Sequence, residues 1–171
     1  MKLPVRFLLT TVVATAALAA CTTPPKKNTT PPPVEPTANT QGLGTGPYSG
    51  PDALDKDACL RQRKVFFDLD KTDIHSEFQA AIACHAAYLR QFPGARVTLE
   101  GNADERGTRE YNLGLGERRG NSVQSALSGA GASTSQLNVV SYGEERPVCR
   151  EHGEACWQQN RRVEIVYTSK Q

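Results

Sequence analysis

Three things are scarce in this chain of 171 residues. The first is charge excess. There are 20 Lys+Arg against 18 Asp+Glu, a formal net charge of +2. A general nucleic-acid binder needs a clear basic surplus to meet phosphate, so no nucleic-acid partner is expected. Both surplus charges, Lys2 and Arg6, sit at the extreme N-terminus. The second is long apolar runs. After the N-terminal segment nothing approaches the run of about 18 apolar residues that reads as a membrane span. The third is reactive constellations. No Ser/His or Cys/His pairing of nucleophile and base stands out, so no catalytic residue is assigned. No internal repeat is present. Hydrophobic residues make up 38% of the chain, which is low but not a disordered composition, and the length allows one ordinary domain with a tail.

Proline is unevenly spread, and this divides the chain. Eight of the 11 prolines fall between Pro24 and Pro51. Before them, Lys2 and Arg6 form a short positive region. Phe7 to Ala20 follows without a charge and ends in small residues, which reads as an export signal over residues 1–20. Its end, Leu18-Ala19-Ala20-Cys21, resembles a bacterial lipobox. In that motif a small residue precedes a Cys whose thiolate accepts a diacylglyceryl group and becomes the new N-terminus. In the lipoprotein pattern that this resembles, Asp after the Cys favours the inner membrane, so the resemblance, with Thr22 in that place, implies the outer membrane. Residues 21–58 then read as a lipidated Cys and a Pro/Gly-rich tether. Such a segment has too little apolar surface to offset its ordering entropy. At ~3.1 Å per extended residue it reaches on the order of 100 Å, or roughly 35 Å as a coil.

From Cys59 to residue 171 the pattern is globular. Lys64 to Leu69 reads as a strand, followed by a polar turn at Asp70 to Asp73. Phe78, Ile82, His85, Leu89 and Phe92 recur at helical spacing and stop at Pro93-Gly94. Arg96 to Gly101 alternates as a second strand. A helix carrying Tyr111, Leu115, Val123 and Leu127 follows. Strands at Leu137 to Tyr142 and Val163 to Tyr167 end the pattern, with room for a short helix before the last. The order β-α-β-α-β-β predicts an α+β fold, a mixed four-stranded sheet with helices packed on it.

Four cysteines remain after Cys21, and an oxidising exported setting suggests disulfides. Three pairings are open. The favoured one joins Cys149 to Cys156 across a short loop, and Cys59 to Cys84, pinning the domain's N-terminal edge to its first helix. Metal binding is the competing reading, but the spacing does not fit a zinc knuckle and no His pair is near.

Chemistry concentrates between Gly101 and Arg119, with Asn160-Arg161-Arg162 entering the last strand. Asp104 sits at a strand end, where a carboxylate can project into a cleft. Tyr111, Leu115 and Arg119 share one helical stripe. An arginine on a core-facing stripe needs a partner or a ligand. A structural Asp104–Arg119 ion pair and a ligand site both satisfy that need.

The run G-N-A-D-E-R-G-T-x-E-Y-N-x-x-L-G-x-R-R resembles the signature of the OmpA-like peptidoglycan-binding domain family, in particular its lipoprotein branch. Phe66-Phe67-Asp68-Leu69-Asp70-Lys71, Val140-Ser141-Tyr142-Gly143-Glu144 and Asn160-Arg161-Arg162 support it, over about Lys64 to Tyr167. Two departures stand out: Asn102 replaces a common His, and the four domain cysteines lie outside the general pattern. The resemblance implies non-covalent binding of peptidoglycan at meso-diaminopimelate, whose side chain ends in an ammonium and a carboxylate on one carbon. By motif position, Asp104 would accept the ammonium and Arg119 would clamp the carboxylate. Asn112 and Leu115 would line the cleft, and Arg161 would add positive potential. Asp70 and Phe67 would form the opposite wall. The loop that includes Arg106 would add backbone donors, and Arg118 would face solvent. The resemblance also implies TolB and TolA as partners, an acyl anchor in outer-membrane lipid through Cys21, and no cofactor.

Two other readings compete. A cell-wall hydrolase would use Asp104 with Glu105 or Glu110 as a carboxylate pair. A related lipoprotein of another envelope machine would share the domain, although such proteins usually carry a transmembrane helix.

Overall fold

A computed structural model describes residues 47–171. The export signal at 1–20, Cys21 and the tether up to residue 46 lie outside the described residues. Residues 47–58, expected in the tether, are instead part of the domain. Tyr48 donates its hydroxyl to the Cys84 carbonyl at 3.1 Å and its N–H to Gln91 Oε1 at 3.0 Å. Two single-turn helices follow, α1 (Ala53–Lys56) and α2 (Ala58–Arg61). Leu54 and Leu60 are fully buried. Asp57 caps α2, accepting from the N–H groups of Cys59 at 2.8 Å and Leu60 at 3.2 Å. The composition here is that of a linker, but two leucines are enough to dock it on the core.

The sheet contains β1 (Lys64–Phe66), β2 (Arg96–Asn102), β3 (Leu137–Gly143) and β4 (Arg162–Ser169) in the order β1-β4-β2-β3. β2 and β3 are parallel; β4 runs antiparallel to both β1 and β2. A parallel pair needs a long crossover, and α4 (Arg109–Gly129) supplies it. With α3 (Gln79–Gln91) and α5 (Glu154–Asn160), this is the expected mixed four-stranded α+β architecture, and the short helix does precede the last strand. The first strand stops at Phe66, three residues short of expectation.

The core lies between the sheet and the two long helices. Val97, Leu99, Val163 and Ile165 face Leu89, Val123 and Leu127. Glycine sets how closely α4 approaches. A Cβ on Gly101 would lie 1.9 Å from the Gly116 carbonyl oxygen, and one on Gly120 would lie 2.5 Å from Val139 Cγ1. Glycine inside a helix costs about 1 kcal/mol relative to alanine. Here it permits backbone contact and brings the first half of α4 against the end of β2, where the site is built.

The cysteines form Cys59–Cys84, which ties α2 to α3, and Cys149–Cys156, which ties the preceding loop to α5. Among the described residues no helix is long and apolar enough to cross a membrane, and no group of His, Cys, Asp or Glu is arranged to hold a metal ion.

Candidate functional site

A cleft of about 350 Å³ opens where β2 ends and α4 begins. Asp70, Asp104, Arg106, Asn112, Leu115, Arg119 and Arg161 all line it, together with Leu69 and Tyr111. Seven of the eight expected site residues therefore meet in one place. Phe67, expected in the opposite wall, does not line it. Phe67 is fully buried in the core, with the Arg119 guanidinium 5.3 Å from its ring centre. Side-chain direction alternates along an extended chain, so Phe67 shares the inward face of Val65. Leu69, 52% exposed, takes the place on the wall.

Arg119 is the most completely enclosed charge in the site, with no exposed surface. Its Nε donates to the Lys71 carbonyl, Nη1 to that of Asn102 and Nη2 to that of Asp68, each at 2.9 Å. The first and third acceptors come from a tight turn after β1. The Lys71 N–H closes that turn on the Asp68 carbonyl at 3.2 Å, and Asp70 adopts a left-handed φ of 58°. Asp is one of the few side chains that tolerates this conformation. Burial, and next the like charge of Arg161, lower the pKa of Arg119 to about 10. It therefore remains a cation at neutral pH.

The Asp104–Arg119 ion pair considered from spacing is not formed. Asp104, 4% exposed, is held by two other arginines. Arg106 grips it as a fork, Nε to Oδ1 at 3.1 Å and Nη2 to Oδ2 at 2.7 Å, and adds its backbone N–H to Oδ1 at 3.1 Å. Arg161 donates to Oδ2 at 3.2 Å. Burial raises the Asp104 pKa, but these bonds outweigh it and hold the carboxyl below its ordinary range. Arg161 is itself fixed by the Phe67 carbonyl at 3.0 Å, by Glu154 at 2.6 Å and by Gln158. Asn112 is buried and donates to the Arg106 carbonyl at 3.1 Å and to Glu144. Tyr111, on the same helical stripe as Arg119, is 44% exposed and donates its hydroxyl to Asp70 at the rim. Arg118 is exposed.

Glu105, the neighbour weighed as a carboxylate partner for Asp104, is turned away. It accepts from Trp157 Nε1 at 2.8 Å and from His152. Trp157 went unnoticed in the sequence, as did Glu154. Both sit on α5, Trp157 one turn and Glu154 two turns before Arg161, and no local pattern marks them.

Among the described residues, the arrangement is a buried cation without an anionic partner, set beside a buried anion that already has two cationic ones. Comparison with known proteins then places the chain. The OmpA family profile matches residues 66–161. The chain belongs to the OmpA family. It is 49% identical over 133 residues to the peptidoglycan-associated lipoprotein of Pseudomonas putida, covering 77% of this chain and 78% of the relative. It is 47% identical over 112 residues to that of Haemophilus influenzae, covering 64% and 73% respectively. The crystal structure of the peptidoglycan-associated lipoprotein from Burkholderia pseudomallei matches at TM-score 0.66 and 43% identity, over 68% of this chain and 98% of that one. The C-terminal domain of Helicobacter pylori MotB matches at TM-score 0.57 and 21% identity, over 62% and 84%, and shares the fold.

Proposed function

We propose that this chain is an outer-membrane lipoprotein that holds peptidoglycan non-covalently, by taking the meso-diaminopimelate end of a stem peptide into the Asp104–Arg119 cleft. The observation that carries this reading is Arg119. A buried guanidinium is costly to leave without a counter-charge. Each of its nitrogens commits one N–H to a backbone carbonyl, which leaves a further N–H on Nη1 and on Nη2. Those donors suit the two oxygens of a ligand carboxylate. Asp104 is the matching anion for the ammonium on the same carbon. The names of the lipoprotein relatives support peptidoglycan as the polymer that is held.

The rest of the reading follows from this anchor. Cys21 carries the acyl chains, the segment after it spans toward the cell wall, and the domain faces the periplasm. TolB and TolA are its protein partners in the Tol system, which maintains the envelope and serves cell division. Charge-assisted bonds contribute roughly 1.5–3 kcal/mol each before ordering costs, so a single cleft binds modestly. Many lipid-anchored copies on one polymer hold by avidity. The protein is a binder, with no chemistry performed on the wall.

A sacculus pull-down tests the site. Wild-type domain should sediment with diaminopimelate-type sacculi, while Asp104→Ala and Arg119→Ala should stay in the supernatant. Retention of both variants would refute the assignment. Equal sedimentation with lysine-type sacculi would refute the carboxylate clamp, because lysine lacks that carboxylate.

A further inference from the structure

The two cations on Asp104 are not equivalent. Arg161 is 2% exposed and cannot leave, because the Phe67 carbonyl, Glu154 and Gln158 hold its other nitrogens. The Arg106 side chain is 31% exposed. Its guanidinium lies over the Trp157 ring, 4.1 Å from the ring centre, and Nη2 is already 3.6 Å from Glu154 Oε2. Glu154 keeps Oε1 on Arg161 at 2.6 Å and presents Oε2, on its exposed side, to Arg106. Arg106 thus occupies the face of Asp104 that opens on the cleft, and a second carboxylate stands ready to receive it.

We infer that Arg106 is a displaceable occupant of the ammonium position: its guanidinium covers Asp104 until a ligand ammonium drives it off toward Glu154. The inference rests on the reading of the cleft given above. The exchange conserves charge, since one cation replaces another on Asp104 while Arg161 stays in place. Arg106 is the more exposed of the two cations on Asp104 and keeps a carboxylate partner in Glu154 as it moves, so the exchange is feasible. The consequence is selectivity. A ligand end that carries the carboxylate without the ammonium can reach Arg119, but it has nothing with which to expel Arg106. Arg106 therefore acts as a specificity-determining residue, and its departure also removes a cation from the face of Trp157.

Trp157 is the only tryptophan of the chain, so its emission reports this step directly. The probe is a stem tripeptide ending in meso-diaminopimelate, titrated into the wild-type protein by fluorescence and by calorimetry. The emission should change and saturate along the calorimetric isotherm. The same tripeptide with hydrogen in place of the side-chain ammonium should leave the emission where it was. Arg106→Gln should bind the diaminopimelate tripeptide about tenfold more tightly, the worth of a charge-assisted hydrogen bond that no longer has to be broken, with no ligand-dependent change in emission. Binding by wild type without an emission change would overturn the displacement and leave the reading of the cleft standing. Weaker binding by Arg106→Gln would do the same, making Arg106 a direct ligand contact. Absence of calorimetric binding by wild type would bring down the reading of the cleft and this inference with it.

Discussion

Two groups of buried polar side chains lie on different parts of the sheet. Under the end of β4, His85 has no exposed surface; its Nδ1 meets the Tyr167 hydroxyl at 2.9 Å and its Nε2 meets the Gln62 carbonyl at 3.1 Å. Tyr88 donates to the Lys170 carbonyl at 2.7 Å. Every polar atom there has a protein partner and the group is neutral. At the end of β2, by contrast, Arg119 is equally buried yet charged, and its partners are carbonyls alone. A closed, neutral network specifies packing. An enclosed charge with donors left over specifies a ligand. Burial alone does not separate the two; the balance of charge does.

Exchanging the two roles by mutation should give opposite results. Arg119→Met removes the cation, and binding to sacculi should fall about 100-fold or more, equivalent to about 3 kcal/mol. His85→Leu strands the Tyr167 hydroxyl and the Gln62 carbonyl and should lower unfolding free energy by about 2 kcal/mol. The fraction of His85→Leu that remains folded should bind sacculi as wild type does. Urea titration and sacculus sedimentation on both variants check this. A loss of binding in folded His85→Leu would erase the contrast between the two groups.

Acid sharpens the same comparison. Burial, against the hydrogen bond to Gln62, pushes the His85 pKa down from 6.5 to about 4. The unfolded chain therefore takes up the proton first as pH falls. The contribution of this group is intact above about pH 6.5 and drains away toward pH 4. Between pH 7 and pH 4.5 it should remove roughly 2 kcal/mol of stability. In His85→Gln, which cannot titrate, that part of the pH dependence should vanish in urea titrations at the two pH values. Arg119, with its pKa at about 10, keeps its charge across the whole interval.

The sequence made most of this legible where a pattern repeats. Periods of two and of 3.6 residues marked four strands and two long helices, because each must bury one face. The motif around Asp104 brought five residues to one cleft, and the runs that hold Asp70 and Arg161 brought two more. What escaped notice depends on single contacts. Leu54 and Leu60 dock a segment whose prolines and glycines otherwise read as tether, and helices of four residues are too short to show a period. Motif position places Phe67 on the opposite wall with Asp70, whereas strand parity puts it inside with Val65. Arg119 was recognised as needing a partner, but the carbonyls that hold it come from a turn whose geometry depends on the left-handed Asp70. Trp157 and Glu154 matter only because α5 folds back over Arg106, a tertiary fact with no local signature.

The smallest expected effect tests how tightly the neutral group is closed. The His85 ring has one N–H when neutral, and it points to the Gln62 carbonyl, so Nδ1 must accept from Tyr167. Burial, first, and the neighbouring Tyr88 raise the pKa of Tyr167, so its hydroxyl stays protonated and able to donate. Tyr167→Phe keeps the ring, which packs edge-on against Tyr88 at 5.4 Å, and removes only the donor. The cost should be about 1 kcal/mol in urea titration at pH 7, the worth of one net hydrogen bond. Because a protonated His85 would then have no acceptor at Nδ1, the variant should also lower the pKa of His85 further, visible by NMR as titration at a lower pH than in wild type. An unchanged His85 titration would mean that Tyr167 does not donate to it, and the network at the end of β4 would be as open as the one at the cleft.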